Sequence, residues 1–411
     1  MIRKLSLYIG LAFLSINIVN GNIFLFYSYI IQRININSIS PEKLNICNPL
    51  QYKIEDYISN FTNNISISII NEDGEYIVDI NSKTPRIPAS NQKILSSAFA
   101  LDNLGPNYTI KTSLIKLNNG GFYIDASGDP DFDSNHLRIL IGKLNNVKDS
   151  TSLKLPLIIK ASKGQNWWPS SWSYSDRKEE YGAPITKYSI SSNSSINARN
   201  NPIENFISEL AMVMNINNLS SKYFIKLVNE RYPIDYFSTI NTINSAPLYI
   251  LLNLVNSESH NFTAEVIFRH SLNNWSHDFP NLKYSKWIND QNFSSQNFVF
   301  ADASGLSREN RVTTYGLSQF LRRMKLNRFS EYYFSSFSIL GVRGSLANIQ
   351  APVDLKGRIL AKSGTLKNVR SLSGIILEKG TIFSIIVNNM DNSLSHIIDI
   401  LSIVDNANYC N

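Results

Sequence analysis

The sequence predicts a mixed α/β (α+β) fold: a central antiparallel sheet flanked by helices, interrupted by a smaller β-rich accessory insert. Three observations predict it. Residues soon after the N-terminus read as a hairpin, a loop and then a helix. Residues near the C-terminus read as three strands and a closing helix, so strands from both ends can pair in one sheet. Between them lies a long middle of strand-like and polar stretches, in a chain whose 411 residues exceed one typical compact core.

Each element has a local reason. Met1-Ile2-Arg3-Lys4 is a short cationic start, followed by an apolar run from Leu5 to Val19 and a second from Ile23 to Ile31. Residues 1–40 therefore read as a secretory signal or an uncleaved signal anchor plus linker. Asn17, Asn20 and Asn22 weaken a membrane span, so cleavage and membrane association through this segment stay open. Leu44 to Phe61 reads as a short helix. Ile65, Ile67 and Ile69 alternate with serines, Asp73-Gly74 is a turn signal, and Tyr76 to Ile80 is the returning strand. From Asn91 to Leu104, Ile94, Leu95, Ala98, Phe99 and Leu101 recur at helical spacing until Gly105-Pro106 stops the helix.

In the middle, Gly121 to Pro130, Leu153 to Lys160 and Tyr188 to Ile196 look strand-like, and the tract Asn166 to Trp172 reads as an aromatic loop packed on the insert. At the far end, Ile359 to Lys362, Ser371 to Leu377 and Ile382 to Val387 read as strands, and Leu394 to Val404 as a helix. The organisation expected is residues 41–110 and 240–411 as one domain, with 111–239 as the insert.

Composition excludes several classes. Hydrophobic and charged contents of 43% and 17% belong to a globular chain. The net charge of +7 suits an anionic envelope surface, but no Arg/Lys stripe interleaves with aromatics, so nucleic acid is not an expected partner. The five histidines are scattered and no Cys/His cluster has ligand spacing, so no metal or cofactor is expected. Cys47 and Cys410 pair if the chain ends pack together; otherwise they are two thiols.

Three short motifs carry the chemistry: Ser90-Asn91-Gln92-Lys93 opening a helix, Ser259-His260-Asn261, and Lys362-Ser363-Gly364 with Thr365 ending a strand. Singly, each has a bland explanation: a helix cap, a surface loop, an edge-strand cation. Jointly they describe a nucleophile and its surroundings. A serine hydroxyl needs a base to take its proton, and a lysine three residues on lies one helical turn away on the same face. Lys93 must then be neutral, and bringing an ordinary lysine to neutrality near pH 7 costs roughly 4–5 kcal/mol. Burial and a neighbouring cation, Lys362, are the expected causes. Ser259 can relay a proton to a leaving amine. Asn261 can hold Lys93 or a substrate amide. Lys362 and Ser363 suit a substrate carboxylate. The amides of Ser90 and Thr365 suit an oxyanion, where one donor is worth about 3–4 kcal/mol in the barrier.

This set resembles the serine penicillin-recognising enzymes, with their S-x-x-K, S-D-N and K-T-G. Further stretches are similar to the D-Ala-D-Ala carboxypeptidase/endopeptidase branch of the low-molecular-mass penicillin-binding proteins (peptidase family S13). They are Pro88-Ala89-Ser90, Leu104-Gly105-Pro106, Gly128-Asp129-Pro130, Tyr181-Gly182-Ala183-Pro184, Ser245-Ala246-Pro247-Leu248, Asp302-Ala303-Ser304-Gly305-Leu306-Ser307 and Gly344-Ser345-Leu346. The similarity spans nearly the whole chain after about residue 45.

The resemblance implies a serine β-lactamase/transpeptidase-like domain interrupted after its S-x-x-K helix. It implies an exported periplasmic or envelope enzyme that forms an acyl-enzyme with peptidoglycan peptides ending in D-Ala-D-Ala, and that β-lactams acylate. Ser90 and Ser259 are 169 positions apart, so the accessory part is shorter than in the family's fuller members. His260 stands where Asp is usual and Ser363 where Thr is usual. A partly exposed loop histidine is the expectation for His260, and Ser363 keeps the hydroxyl. The rival expectations are a β-lactamase or esterase on the same fold, disfavoured by the lack of an E-x-x-L-N, and a catalytically idle wall-binding scaffold.

Overall fold

The computed structural model describes residues 46–407, except 148–152, 163, 195–197, 199, 276–280 and 392. The N-terminal stretch expected to direct export and Cys410 lie outside the described residues. The chain runs through α1 (Asn48–Tyr57), β1 (Ile65–Ile70), β2 (Tyr76–Ile80), α2 (Gln92–Leu104), β3 (Lys111–Leu117), β4 (Phe122–Asp125), α3 (Ser134–Gly142), β5 (Leu155–Ala161), α4 (Pro202–Ile216), β6 (Tyr223–Asn229) and β7 (Tyr236–Asn244). It continues through α5 (Leu248–Asn256), α6 (Asn261–Leu272), α7 (Asn281–Asp290), β8 (Phe298–Val299), β9 (Arg311–Val312), α8 (Thr314–Lys325) and α9 (Ser330–Ser335). The last elements are β10 (Ser338–Ile339), β11 (Ile359–Leu366), β12 (Val369–Ile376), β13 (Thr381–Asn388) and α10 (Leu394–Asp405).

The larger sheet has the order β10-β11-β12-β13-β1-β2, antiparallel throughout. Strands from the two ends meet at its centre, with Ile67 opposite Ile385. The isoleucine–serine alternation of β1 sorts its two faces. Ile65, Ile67 and Ile69 pack with Phe383, Ile385 and Val387 under α1 and α10. Ser66, Ser68, Ser371, Ser373 and Ser384 are all buried. They let other elements approach closely: Ser68 Oγ meets Ser318 Oγ of α8 at 2.8 Å. Fully burying each isoleucine of β1 contributes about 1.5–3 kcal/mol.

α2 is the central helix. Gln92 through Leu101 are all buried, the polar Gln92, Lys93, Ser96 and Ser97 along with the apolar residues, so this stretch is wrapped on every side. It ends where Gly105 (φ +78) returns its amide to Leu101 O at 3.0 Å.

The second sheet, drawn from residues 111–244, has the order β6-β5-β4-β3-β7. β4 with β5 and β5 with β6 run parallel. Parallel neighbours need crossovers, and α3 and α4 supply them. Leu137, Leu140, Phe206 and Leu210 from these helices close over Phe122, Ile124 and Leu157. The second sheet is thus a five-stranded mixed sheet under two helices.

Tyr188 to Ile196 is not a strand where described. Ser191, Ser192 and Asn193 have φ of 49°, 55° and 57°, a left-handed turn. Their side chains hold it, with Ser192 Oγ donating to Pro130 O and Asn193 Nδ2 to Pro184 O, both at 2.8 Å.

Candidate active site

Three stretches far apart in sequence converge on Ser90. Its turn, Ala89–Asn91, is a short 3-10 segment that runs directly into α2. Ala89 has φ 48°, a left-handed conformation that costs an L-residue on the order of 1 kcal/mol and that clusters at functional turns. The turn is held from the sheet side: Ser371 Oγ donates to Pro88 O at 2.6 Å, and Asn91 Nδ2 donates to Ser373 Oγ at 2.7 Å. β11 lies so close that a Cβ on Gly364 would sit 2.2 Å from Ser371 Oγ and 2.9 Å from Ser90 N. Only glycine allows this strand to reach the Ser90 amide.

Lys93 is fully buried one turn after Ser90. Its Nζ donates to Ser90 Oγ at 3.1 Å, to Asn261 Oδ1 at 2.5 Å and to Ser304 O at 2.7 Å. Those three acceptors match the three N–H bonds of an ammonium. Loss of one proton leaves two donors and a lone pair free to receive the Ser90 proton. Burial lowers the Lys93 pKa from its ordinary value to about 7, while the charges of Asp302 and Glu265 pull it upward. Burial is the first cause, ahead of any neighbouring charge.

Asn261 opens α6. Its Oδ1 takes Lys93, and its Nδ2 donates to Tyr181 O at 2.9 Å. Tyr181 lies between β5 and α4, so this segment supplies a backbone group that fixes the orientation of the Asn261 amide. A second link is Trp172, whose Nε1 donates to the buried Asp302 Oδ2 at 2.8 Å. Trp172 is 2% exposed and packs in the core around α2. The aromatic tract therefore divides: Trp167 packs with the core of the second sheet, and Trp168 and Trp172 with the core around α2. That corrects the expectation of a loop packed on the insert alone.

Ser259, with φ 63°, receives Lys362 Nζ at 3.0 Å. Lys362 is fully buried and also donates to Ser363 O at 2.8 Å. Its pKa lies well below the usual range, through burial first and then the charge of Lys93, opposed by Glu258. Lys362-Ser363-Gly364-Thr365 lies inside β11, which continues to Leu366, and not at a strand end. Since β10 pairs only with Leu360 and Ala361, the edge of β11 beyond them carries no strand partner among the described residues. Ser363 Oγ meets Ser345 Oγ at 2.7 Å, and Ser345 Oγ meets Ser338 Oγ at 3.1 Å. Thr365 is exposed.

His260 is half-buried, with Nδ1 at 2.7 Å from Thr263 Oγ1. Burial and the Lys93 charge push it down to about 4, so it is neutral above that pH.

Sequence reasoning assigned no part to three groups around Lys93. Ser304 and Tyr181 act through carbonyls, which no side-chain pattern encodes. Glu265 was unmarked, although it lies four residues after Asn261 on the same helical face.

The sequence profile of the D-Ala-D-Ala carboxypeptidase 3 (S13) family matches residues 51–223 and 226–403. A D-alanyl-D-alanine carboxypeptidase DacB from Haemophilus influenzae is 30% identical over 141 residues, 32% of this chain and 29% of the relative. A penicillin-sensitive carboxypeptidase A from Dictyostelium discoideum is 31% identical over 114 residues, 25% of this chain and 22% of the relative. The aligned part thus spans less than a third of either relative. Among solved structures, penicillin binding protein 4 (dacB) from Haemophilus influenzae superposes with a TM-score of 0.71 at 17% identity, covering 86% of this chain and 98% of that one. A predatory endopeptidase from Bdellovibrio bacteriovorus in complex with an immunity protein gives a TM-score of 0.54 at 17% identity, over 82% of this chain and 89% of that one. These likenesses establish the shared fold.

Proposed function

This chain belongs to the D-Ala-D-Ala carboxypeptidase 3 (S13) family, and from that premise we propose that it is a serine-type D-Ala-D-Ala carboxypeptidase acting on peptidoglycan stem peptides. The observation that carries the proposal is the buried Lys93 amine at hydrogen-bond distance from Ser90 Oγ.

Neutral Lys93 takes the Ser90 proton as Oγ attacks the penultimate D-Ala carbonyl carbon. The oxyanion forms against the Ser90 and Thr365 amides, a reading supported by the close approach of β11 to the Ser90 amide at Gly364. The C–N bond breaks, and the terminal D-Ala amine leaves with a proton relayed through Ser259. Water then hydrolyses the Ser90 ester, and Lys93 serves as base again. The unpartnered edge of β11 offers main-chain groups to an extended peptide, in the manner of strand addition. Lys362 and Ser363 receive the terminal carboxylate, and an arriving anion restores the Lys362 charge that burial disfavours. Cleavage of a D,D-cross-link is the same chemistry with a larger leaving amine. Penicillins enter the same path by acylating Ser90. The cationic start and apolar run of residues 1–31 support export to the periplasm or envelope, with inner-membrane anchoring if the segment is retained.

The test is a fluorescent-penicillin gel with wild type and Ser90→Ala, alongside mass spectrometry of digested muropeptides. A stable Ser90-dependent band and loss of terminal D-Ala are expected. No band with the wild type overturns the proposal, and rapid turnover of penicillin makes the protein a β-lactamase.

A further inference from the structure

Glu265 sits one turn after Asn261 on α6, fully buried. Its Oε1 accepts the amides of Ala303 and Ser304, both at 2.9 Å. Its other oxygen pairs with Arg269 Nη1 at 3.1 Å. The carbonyl of the same Ser304 receives Lys93 Nζ at 2.7 Å. The loop is held on its far side by Asp302, whose carboxylate accepts the Gly305 amide at 2.7 Å and the Ser307 amide at 2.6 Å.

Taking Lys93 as the base of the proposed reaction, we infer that Glu265 is a positioning residue for it: Glu265 anchors the 303–304 backbone that receives the lysine and sets a buried negative charge beside it. A Glu–Arg pair one helical turn apart could serve only to brace α6. Two features go beyond bracing. Both amides that Glu265 binds belong to the stretch whose carbonyl touches the base. Its charge also acts on Lys93, favouring the ammonium against burial. The other charged or titratable groups around this cluster are Asp302 from the 302–310 loop, Arg269 on α6 itself, Lys362 from β11 and His260 at the start of α6.

The sign follows. Removing the Glu265 charge removes support for the protonated lysine, so Lys93 loses its proton at lower pH. It also becomes a weaker proton acceptor and loses a fixed carbonyl partner. The measurement is the rate of Ser90 acylation by a fluorescent penicillin between pH 5 and 9, on full-length wild type, Glu265→Gln, and the double variant Glu265→Gln/Arg269→Met. The double variant removes the guanidinium that the single one leaves buried and unpaired, so a folded protein is available even if the single variant fails.

We expect the acid-side midpoint to fall by about one pH unit in the folded variants, with a plateau rate about tenfold lower. An unmoved midpoint, whatever the plateau, overturns the role of Glu265 and leaves Lys93 as base. A wild type without an acid limb, or without Ser90-dependent labelling, overturns the base assignment and the inference with it.

Discussion

Lys93 and Lys362 are both fully buried on the same cleft, yet they are held in different ways. Lys93 has three oxygen acceptors, two of them tied down in turn: Asn261 by Tyr181 O, and the Ser304 segment by Glu265. Two buried carboxylates act on its charge. Lys362 has one hydroxyl and its neighbour's carbonyl, and among the described residues the carboxylate acting on it is that of the exposed Glu258. Beyond it lie hydroxyls that touch one another, Ser363 and Ser345. A base must be fixed before the reaction begins, because misorientation is costly in rate. A carboxylate receptor works best with its attraction unspent, because a partner already present would have to be displaced. On the proposed mechanism, the firmly held side performs the chemistry and the loosely held side reads the substrate.

The largest test of that contrast replaces each lysine by methionine. Lys93→Met should lower acylation by about a thousandfold or more, read from penicillin labelling rates. It should also raise the melting temperature. The folded pKa of Lys93 lies below its unfolded value, so between about pH 7 and 10.5 the unfolded chain binds the extra proton. Stability therefore rises with pH through that window, and at neutral pH the buried lysine costs stability that methionine does not. Lys362→Met should act on recognition. The wild type should prefer a peptide ending in a free carboxylate over its amide, whereas the variant should treat both alike in kcat/KM. Equal loss of that preference in both variants would erase the distinction.

A smaller effect should follow from Gly182→Ala. A Cβ there would meet Asp176 O at 1.8 Å, so the segment carrying Tyr181 O must shift and release the Asn261 amide. Acylation should fall about tenfold with the carboxylate preference intact, which tests whether the insert serves the Lys93 side alone. Ser345→Ala should be the mildest, raising KM for the carboxylate substrate about threefold and leaving the acylation rate at saturation unchanged.

Much of the site was legible because its side chains are few and oddly combined: Ser90, Lys93, Ser259, Asn261, Lys362 and Ser363 stand in an order that helix and strand patterns already position. The sheet halves were legible for the same reason, since Ile65 to Ile69 and Ile382 to Val387 carry period-two or continuous apolar signals. The insert was less so. β7 is mostly half-exposed and pairs with β3 through two register shifts, and β6 is an exposed edge, so neither shows clean alternation. Tyr188 to Ile196 misled because its hydroxyl and amide side chains serve the local backbone, a bond type that composition does not reveal. The weight of burial on Lys93 was harder to read, because desolvation is a property of the whole packed interior.

The central pairing of β1 with β13 has a consequence for how the molecule is made. Residues 65–70 find their partner only at residues 382–387, after nearly all of the chain has been synthesised, so this contact closes a loop of about 300 residues. Such closure is slow. Until the last strands arrive, Ser371, Ser373 and Gly364 are not there to hold the turn around Ser90. A chain that lacks β11 and β12 is thus without the contacts that hold the nucleophile's turn.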